Sequence, residues 1–318
     1  MTISDIFSGR EGQTGFSFEV LPPLKGTGTE ALFRTIDTLR PFAPLFINIT
    51  THRSEHVYSE QADGTFLRRS LRRRPGTIAV ASAIMQRYDL KVVPHVVCSG
   101  FSAEEIEYML LDLQFLGISD VLLLRGDKAK DEPRFIPTPG GHSHTDALIA
   151  QVNQFNAGAF LDGSPIRHPG TPFAFGVACY PEKHEEAPNL DFDIEVLLRK
   201  QQLGASYAVS QLFYDNRKWF AFVEKARAAG VTIPLIPALK PLSKLSQFNV
   251  LPRTFHLDFP ESLSREFARC KSDADVQALG VEWGIAQARE LKAAGSPAIH
   301  FYTVSAVDSI KEIARQVF

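Results

Sequence analysis

Val121-Leu-Leu-Leu-Arg-Gly-Asp127 is the stretch that decides the fold. Its run of apolar residues is hydrophobic on both sides of an extended chain, the mark of a strand buried on both faces of a parallel sheet. The run stops at Arg125, Gly126 and Asp127, so a cation and an anion meet where it ends. In barrels of alternating strands and helices, sites are built at the carboxyl ends of the strands.

The pattern recurs on either side of this stretch. Upstream, Gly15 to Val20 alternates like a first strand, carries Glu19 near its end and stops at Pro22-Pro23. Leu45 to Thr50 closes on Asn48, Thr50 and Thr51, and Lys91 to Cys98 carries His95. Downstream, Phe173 to Cys179 leads into Tyr180-Pro-Glu-Lys-His184, and Tyr207 to Phe213 encloses Gln211. Thr232 to Ala238 and Pro297 to Thr303 complete a set of eight strand candidates. Helical spacing fills the gaps. Leu32, Phe33, Ile36 and Leu39 share a face, Ser102 and Glu105 make a capping box, and Gly204 stops a helix begun after Asp191. Further helices are predicted over Thr145–Asn156, Trp219–Ala229, within Glu261–Ala294 and over Asp308–Phe318. Thr65 to Tyr88 predicts a helix in two pieces broken at Pro75-Gly76, and residues 128–141, rich in Pro, Gly and charge, predict a long mobile loop. Strands alternating with helices, with no break in composition, predict a single (β/α)8 TIM barrel of the α/β class over residues 1–318.

Composition narrows the function. A chain of 318 residues that is 44% hydrophobic fills a large core, and a net charge of −2 sets up no field favouring nucleic acid or an anionic membrane. Cys98, Cys179 and Cys270 are odd in number and lack a Cys-x-x-Cys pair, so neither a disulfide framework nor a thiolate zinc site is indicated. The N-terminus lacks a basic region before an apolar one, and no run approaches the ~20 apolar residues of a membrane span. A cytoplasmic protein acting on a small molecule is the expectation. Arg68, Arg69, Arg72, Arg73 and Arg74 form the densest charge cluster and read as a solvated helical face, with a nucleotide phosphate contact as the sharper alternative. Gly26-x-Gly28 lacks the third glycine of a dinucleotide fingerprint, and no Walker or Gly-x-Ser-x-Gly loop occurs. His142 and His144 alternate in a loop, which is weak ground for a metal, and none is expected.

The strand ends bring Glu19, Thr50, His95, Arg125, Asp127, Tyr180 and Gln211 to one rim. Two carboxylates at a shared mouth suggest acid–base chemistry in which burial holds one of them neutral. Raising a glutamate pKa by ~2 units costs roughly 2.7 kcal/mol in the ionised form, so Glu19 needs an apolar pocket, and Phe16, Phe18 and Leu21 are its candidates. Each residue has a duller alternative: Glu19 pairs with an arginine, Gln211 satisfies backbone groups, and His95 is a hydrogen-bonded core histidine.

Taken together, Phe16-Ser-Phe-Glu19 before Pro22-Pro23, Pro94-His95, Leu124-Arg-Gly-Asp127, Tyr180-Pro-Glu-x-His184, Gln211-x-Phe-x-Asp215 and His300-Phe-Tyr-Thr303 resemble methylenetetrahydrofolate reductase, in order and over nearly the whole chain. The resemblance implies a (β/α)8 barrel that binds FAD non-covalently and reduces methylene-tetrahydrofolate with NADH or NADPH by a ping-pong hydride transfer, supplying methyl groups for methionine synthesis. By position, Glu19 matches the general acid and folate contact, Asp127 the carboxylate beside flavin and pterin, and Gln211 and Gln247 folate-binding residues. Thr50, His95, Arg125, Gly126, Asp127, His144, Tyr180, His184, Asp193 and Lys200 match flavin-binding positions. An arginine that contacts folate in some members is Ala306 here, which leaves Lys240 or Lys244 to hold the folate tail. The resemblance also implies no counterpart of the regulatory C-terminal domain of eukaryotic relatives, and it leaves homo-oligomerisation open. The rival readings are a flavin-free folate or methyl-carrier barrel that transfers methyl groups and a binding protein without chemistry. Colour separates the first of these, since a flavoprotein is yellow.

Overall fold

The computed structural model describes residues 1–10, 12–129 and 132–318. In chain order its elements are helix α1 (Ile3–Ser8), strand β1 (Gly15–Val20), α2 (Glu30–Leu39), β2 (Ile47–Ile49), β3 (Glu55–Glu60), β4 (Phe66–Leu71), α3 (Thr77–Arg87), β5 (Val92–Val97), α4 (Ala103–Phe115), β6 (Asp120–Leu124) and α5 (Thr145–Asn156). There follow β7 (Ala174–Cys179), α6 (Leu190–Gln202), β8 (Tyr207–Ser210), α7 (Asn216–Ala228), β9 (Leu235–Ile236), β10 (Ala238–Leu239), α8 (Gln247–Phe255), α9 (Glu261–Phe267), α10 (Asp273–Ala293), β11 (Ala298–Tyr302) and α11 (Val307–Val317).

The main sheet runs β10-β11-β1-β2-β5-β6-β7-β8-β9. Its two terminal strands are halves of one segment: Leu235 and Ile236 pair with β8, while Ala238 and Leu239 pair with β11. Pro237 lies between them, and with no N–H to give to a ladder it ends one pairing while its carbonyl accepts from His300 N at 2.9 Å. The expected seventh strand thus serves two neighbours, and the fold is the (β/α)8 barrel of the α/β class that the strand pattern predicts.

Contacts divide the chain into two compact units, Met1–Val20 with Arg34–Asn48 and Ala174–Phe318, and Leu21–Phe33 with Ile49–Phe173. In the first, β1 pairs with β11 in the register Ser17↔His300, Phe18↔Phe301 and Glu19↔Tyr302. Alternation along a strand sends Phe16 and Phe18 to one face and Ser17 and Glu19 to the other. Phe16 packs against Phe42, Phe301 and Phe318 at ring separations of 6.1, 5.6 and 5.4 Å. On the opposite face Ser17 Oγ meets His300 Nδ1 at 3.0 Å, and the Phe46 ring stacks on His300. A satellite core of Leu212, Tyr214, Leu242, Leu251, Leu257, Leu263 and Phe267 lies among α8, α9 and α10. There α10 comes so close to the chain that a Cβ on Gly280 falls 2.1 Å from the Leu242 carbonyl oxygen.

In the second unit β5 is buried along its whole length, and it pairs with β6 in parallel from His95↔Leu122 to Val97↔Leu124. Helix α4 starts at the predicted capping box, with Ser102 Oγ accepting from Glu105 N and Glu105 accepting from Ser102 N. Helix α5 spans Thr145–Asn156, as its spacing predicts.

Two expectations fail. The first half of the helix predicted over Thr65–Tyr88 is strand β4, which joins β3 as an antiparallel ribbon, so Arg68 and Arg69 lie on a strand and not on a helical face. The turn is made by Asp63-Gly64, where Gly64 takes φ 78° and Asp63 Oδ1 accepts from Thr65 N. That dipeptide is a hairpin signal which outweighs helical spacing. Gln211 is not inside a strand either, because β8 stops at Ser210. In the loop predicted over 128–141, residues 130 and 131 fall outside the described residues, and the rest carries no helix or strand.

Candidate active site

Strand ends within each unit gather polar side chains. In the unit containing 49–173, Thr77 Oγ1 at the start of α3 donates to the Thr50 carbonyl just past β2, and Thr51 Oγ1 donates to the carbonyl of His95, which lies within β5 and not at its end. The Thr50 hydroxyl and His52 Nε2 lie 3.1 Å apart. Burial drives the His95 pKa down to about 3, with His52 adding to the effect, so the imidazole is neutral at neutral pH. The His52 pKa is lowered first by burial and then by Arg74, and Asp127 opposes both. His52, Arg74 and Asp127 therefore share one electrostatic neighbourhood.

The Arg-Gly-Asp turn that follows β6 is held from β5. Ser99 N donates to the Arg125 carbonyl at 2.8 Å, and Ser99 Oγ donates to the Asp127 carbonyl at 2.6 Å. Gly126 takes φ 79°, a conformation that side chains rarely adopt. The Arg125 guanidinium lies 4.7 Å from the centre of the Phe135 ring, and Arg53 approaches Glu132 at 3.7 Å. Asp127 is exposed, as is His144, which takes the N-cap position of α5 without capping it. Hydroxyls, a neutral imidazole and guanidinium groups around one carboxylate suit an anionic, hydrogen-bonding ligand.

In the other unit, polar residues gather at the ends of β1, β10 and β11. Glu19 on β1 pairs with Tyr302 on β11, and Lys240 directly follows β10, whose last pair with β11 is Leu239↔Phe301. Tyr302 Oη donates to the Ser210 carbonyl at 2.8 Å. Thr303 Oγ1 donates to the Glu19 carbonyl at 2.6 Å, and Lys240 Nζ donates to the Val304 carbonyl at 2.7 Å. Burial lowers the Lys240 pKa to about 8, and Glu19 works against that shift. Burial pushes the Tyr302 pKa well up, reinforced by Glu19, Tyr180 and Cys179. Glu19 therefore shares its face of the sheet with a phenol and an ammonium. Phe16 and Phe18, expected to line its pocket, face the other way.

Beside these residues, the Tyr180 and His184 rings meet edge to face at 4.8 Å. His184 N donates to Asp193 Oδ2 at 2.6 Å, and Lys200 is buried two helical turns beyond Asp193 on α6. Burial raises the Asp193 pKa against the opposing hydrogen bond from His184 and the charges of His184, Lys200 and Lys183. Burial also raises the Cys179 thiol, which Lys200 pulls down and Asp193 pushes up. Gln211 N donates to the Cys179 carbonyl at 2.8 Å. The Gln247 carboxamide oxygen accepts from Ser243 N at 2.7 Å and Lys244 N at 3.0 Å, which leaves its NH2 as the end that can address a ligand. Of the two lysines considered for a folate tail, Lys244 is exposed and Lys240 turns to Val304.

Tyr302 and Lys240 as neighbours of Glu19 are absent from the sequence reading, although both stand at strand ends where residue counting could have found them. Among the described residues no group of three or more His, Cys, Asp and Glu gathers as a metal site, and no helix is long and apolar enough to cross a membrane.

A family model described as methylenetetrahydrofolate reductase matches residues 3–317. The chain is 28% identical over 299 residues to methylenetetrahydrofolate reductase (NADH) 1 of Arabidopsis thaliana, covering 93% of this chain and 47% of that protein. It is 26% identical over 296 residues to 5,10-methylenetetrahydrofolate reductase of Salmonella typhimurium, covering 93% and 88%. The chain thus spans about half the length of the plant relative and most of the bacterial one. Among solved structures, a Clostridium thermocellum protein described as binding two copies of 5-methyl-5,6,7,8-tetrahydrofolic acid superposes with a TM-score of 0.56 at 13% identity, over 99% of this chain and 98% of that one, a likeness of fold.

Proposed function

The chain belongs to the methylenetetrahydrofolate reductase family, and from that membership we propose that it reduces methylene-tetrahydrofolate to methyl-tetrahydrofolate as a single catalytic domain, with FAD held non-covalently and NADH or NADPH as the reductant. The observation that carries this reading is Glu19 standing in register with Tyr302 at the carboxyl ends of β1 and β11. A carboxyl group presented there is placed to give a proton to the folate ring nitrogen as the methylene bridge opens, and such help is worth on the order of 10²–10⁴ in rate. Gln211, with the NH2 of Gln247, is assigned to the pterin, and Lys244 to the anionic folate tail. Asp127 supplies negative charge for the cation that ring opening produces.

The donor set supports FAD. In the unit containing 49–173, Thr50, His95, Arg125, Gly126, Asp127 and His144 offer a hydroxyl, imidazoles and a guanidinium to such a cofactor; in the other unit, Tyr180, His184, Asp193 and Lys200 are assigned to it by their positions in the family motifs. FAD would supply hydride-carrying redox chemistry between the nicotinamide and the folate in two separate half-reactions, a ping-pong scheme. The protein's part is to orient the ligands, exclude water and manage the proton.

The test is anaerobic. Protein purified with its flavin is mixed with NADH or NADPH until the yellow colour bleaches, and then with methylene-tetrahydrofolate, which should restore it. Glu19→Gln should keep the bleaching and lose the recovery. Equal damage to both steps overturns the assignment of Glu19, and a colourless protein that binds folate but no FAD points to methyl transfer.

A further inference from the structure

We propose that Lys240 is the positioning residue that hands Glu19 its proton, so that the acid of the folate step is recharged from within the sheet. This rests on the proposed reductase reading and goes beyond it.

The placement comes from register. β1, β11 and β10 are consecutive parallel strands; Glu19 pairs with Tyr302, and Lys240 directly follows the last pair of β10, Leu239↔Phe301, which brings it to the level of Tyr302. Adjacent strands are roughly 4.8 Å apart, so Glu19 and Lys240 flank Tyr302 roughly 10 Å apart at the backbone, a span that a lysine and a glutamate side chain cover, and the Glu19 charge acts on Lys240. The two ends are tied to adjacent residues of the turn after β11: Thr303 Oγ1 holds the Glu19 carbonyl, and the Val304 carbonyl holds Lys240 Nζ. Lys240 itself is fixed from below, where Tyr214 Oη donates to its carbonyl at 2.8 Å.

The groups facing this lysine are Glu19 from β1, Tyr302 from β11 and Tyr214 from the segment after β8, with Tyr180 and Cys179 behind Tyr302. Burial raises the pKa of Tyr302, Tyr214 and Cys179, so those three stay neutral through the physiological range. Glu19 is the group whose charge acts on Lys240, and burial has already brought the ammonium to about 8, where it can release a proton. A surface lysine does not do this.

The proton balance is simple. The Glu19 carboxyl O–H bond breaks, and its proton goes to the folate nitrogen that leaves the methylene bridge. A Lys240 N–H bond then breaks, its proton moves to the Glu19 carboxylate, and the neutral amine takes a proton from water. One proton enters per folate reduced, matching the one hydride delivered.

The experiment uses the flavin-loaded enzyme and follows the folate half-reaction against pH in wild type, K240R, K240M and K240A. The wild-type rate should fall along an alkaline limb near pH 8. K240R keeps the charge and the hydrogen bond to Val304, but arginine does not release its proton. K240R and K240M should both lose about 10²-fold in kcat with KM little changed, and both should lose the alkaline limb. In K240A, added methylamine should restore rate in proportion to its concentration. Wild-type rate and limb in K240R, or an unchanged limb in K240M, overturns the relay. If K240M does not fold, K240R and the amine rescue of K240A decide. A wild type that never reduces methylene-tetrahydrofolate refutes the reductase reading, whereas an active wild type with indifferent variants refutes only the role of Lys240.

Discussion

Gly126 carries the turn that presents Asp127. With φ at +79°, and a Cβ placed 2.8 Å from Ser99 Cβ, alanine there meets both backbone strain and a contact that must move. Gly126→Ala should cost ~1–3 kcal/mol and reduce bound flavin, read from the thermal midpoint and the flavin absorbance. His95 makes a prediction about pH. Its folded pKa of about 3 lies below the ordinary histidine value of 6.5, so the unfolded chain binds the extra proton between the two. The stability present above pH 6.5 is therefore lost progressively as pH falls toward 3. Replacing His95 by Gln should flatten the slope of unfolding free energy over that window in urea titrations; an unchanged slope would show that other groups govern acid unfolding. The chain shows Gly126 at a strand end and His95 on a strand, although β5 runs two residues past His95, and how their neighbours hold them is not written in it.

At the scale of elements, the close approach of α10 to residue 242 leaves no room for a methyl group. Gly280→Ala should force the helix outward and cost ~1–3 kcal/mol by overpacking, visible as a lower denaturation midpoint. The β3–β4 ribbon makes the opposite prediction. Val57, Tyr58, Phe66 and Leu67 are all exposed, so replacing residues 57–69 by a short Gly-Ser linker should shift stability by no more than about 1 kcal/mol. Local pattern was enough for α4 and α5, because a capping box and a 3.6-residue period are written in adjacent residues. It misled at β4, where Leu67 and Leu71 mimic helical spacing and the Asp63-Gly64 turn settles the matter. It could not reach the Glu19–Tyr302–Lys240 group at all. Lys240 and Val304 are 64 residues apart in the chain, and only the strand register brings them together.

For the whole molecule, the reading stands or falls on a shared property: the purified protein should be yellow, with absorbance near ~450 nm that NADH or NADPH removes. The motifs carry that expectation, because strand ends in this fold hold the chemistry wherever the strands themselves are recognised. The seventh strand was harder to foresee, since nothing in Leu235–Leu239 announces that one segment pairs with two partners. The pairing of β1 with β11 has a consequence for biosynthesis. Ser17 meets His300 across 283 residues of sequence. At ~5–20 residues per second, the ribosome takes roughly 15 s to a minute to deliver the later strand. Until then the nascent first strand keeps one hydrogen-bonding edge bare, and chaperones have that interval in which to shield it.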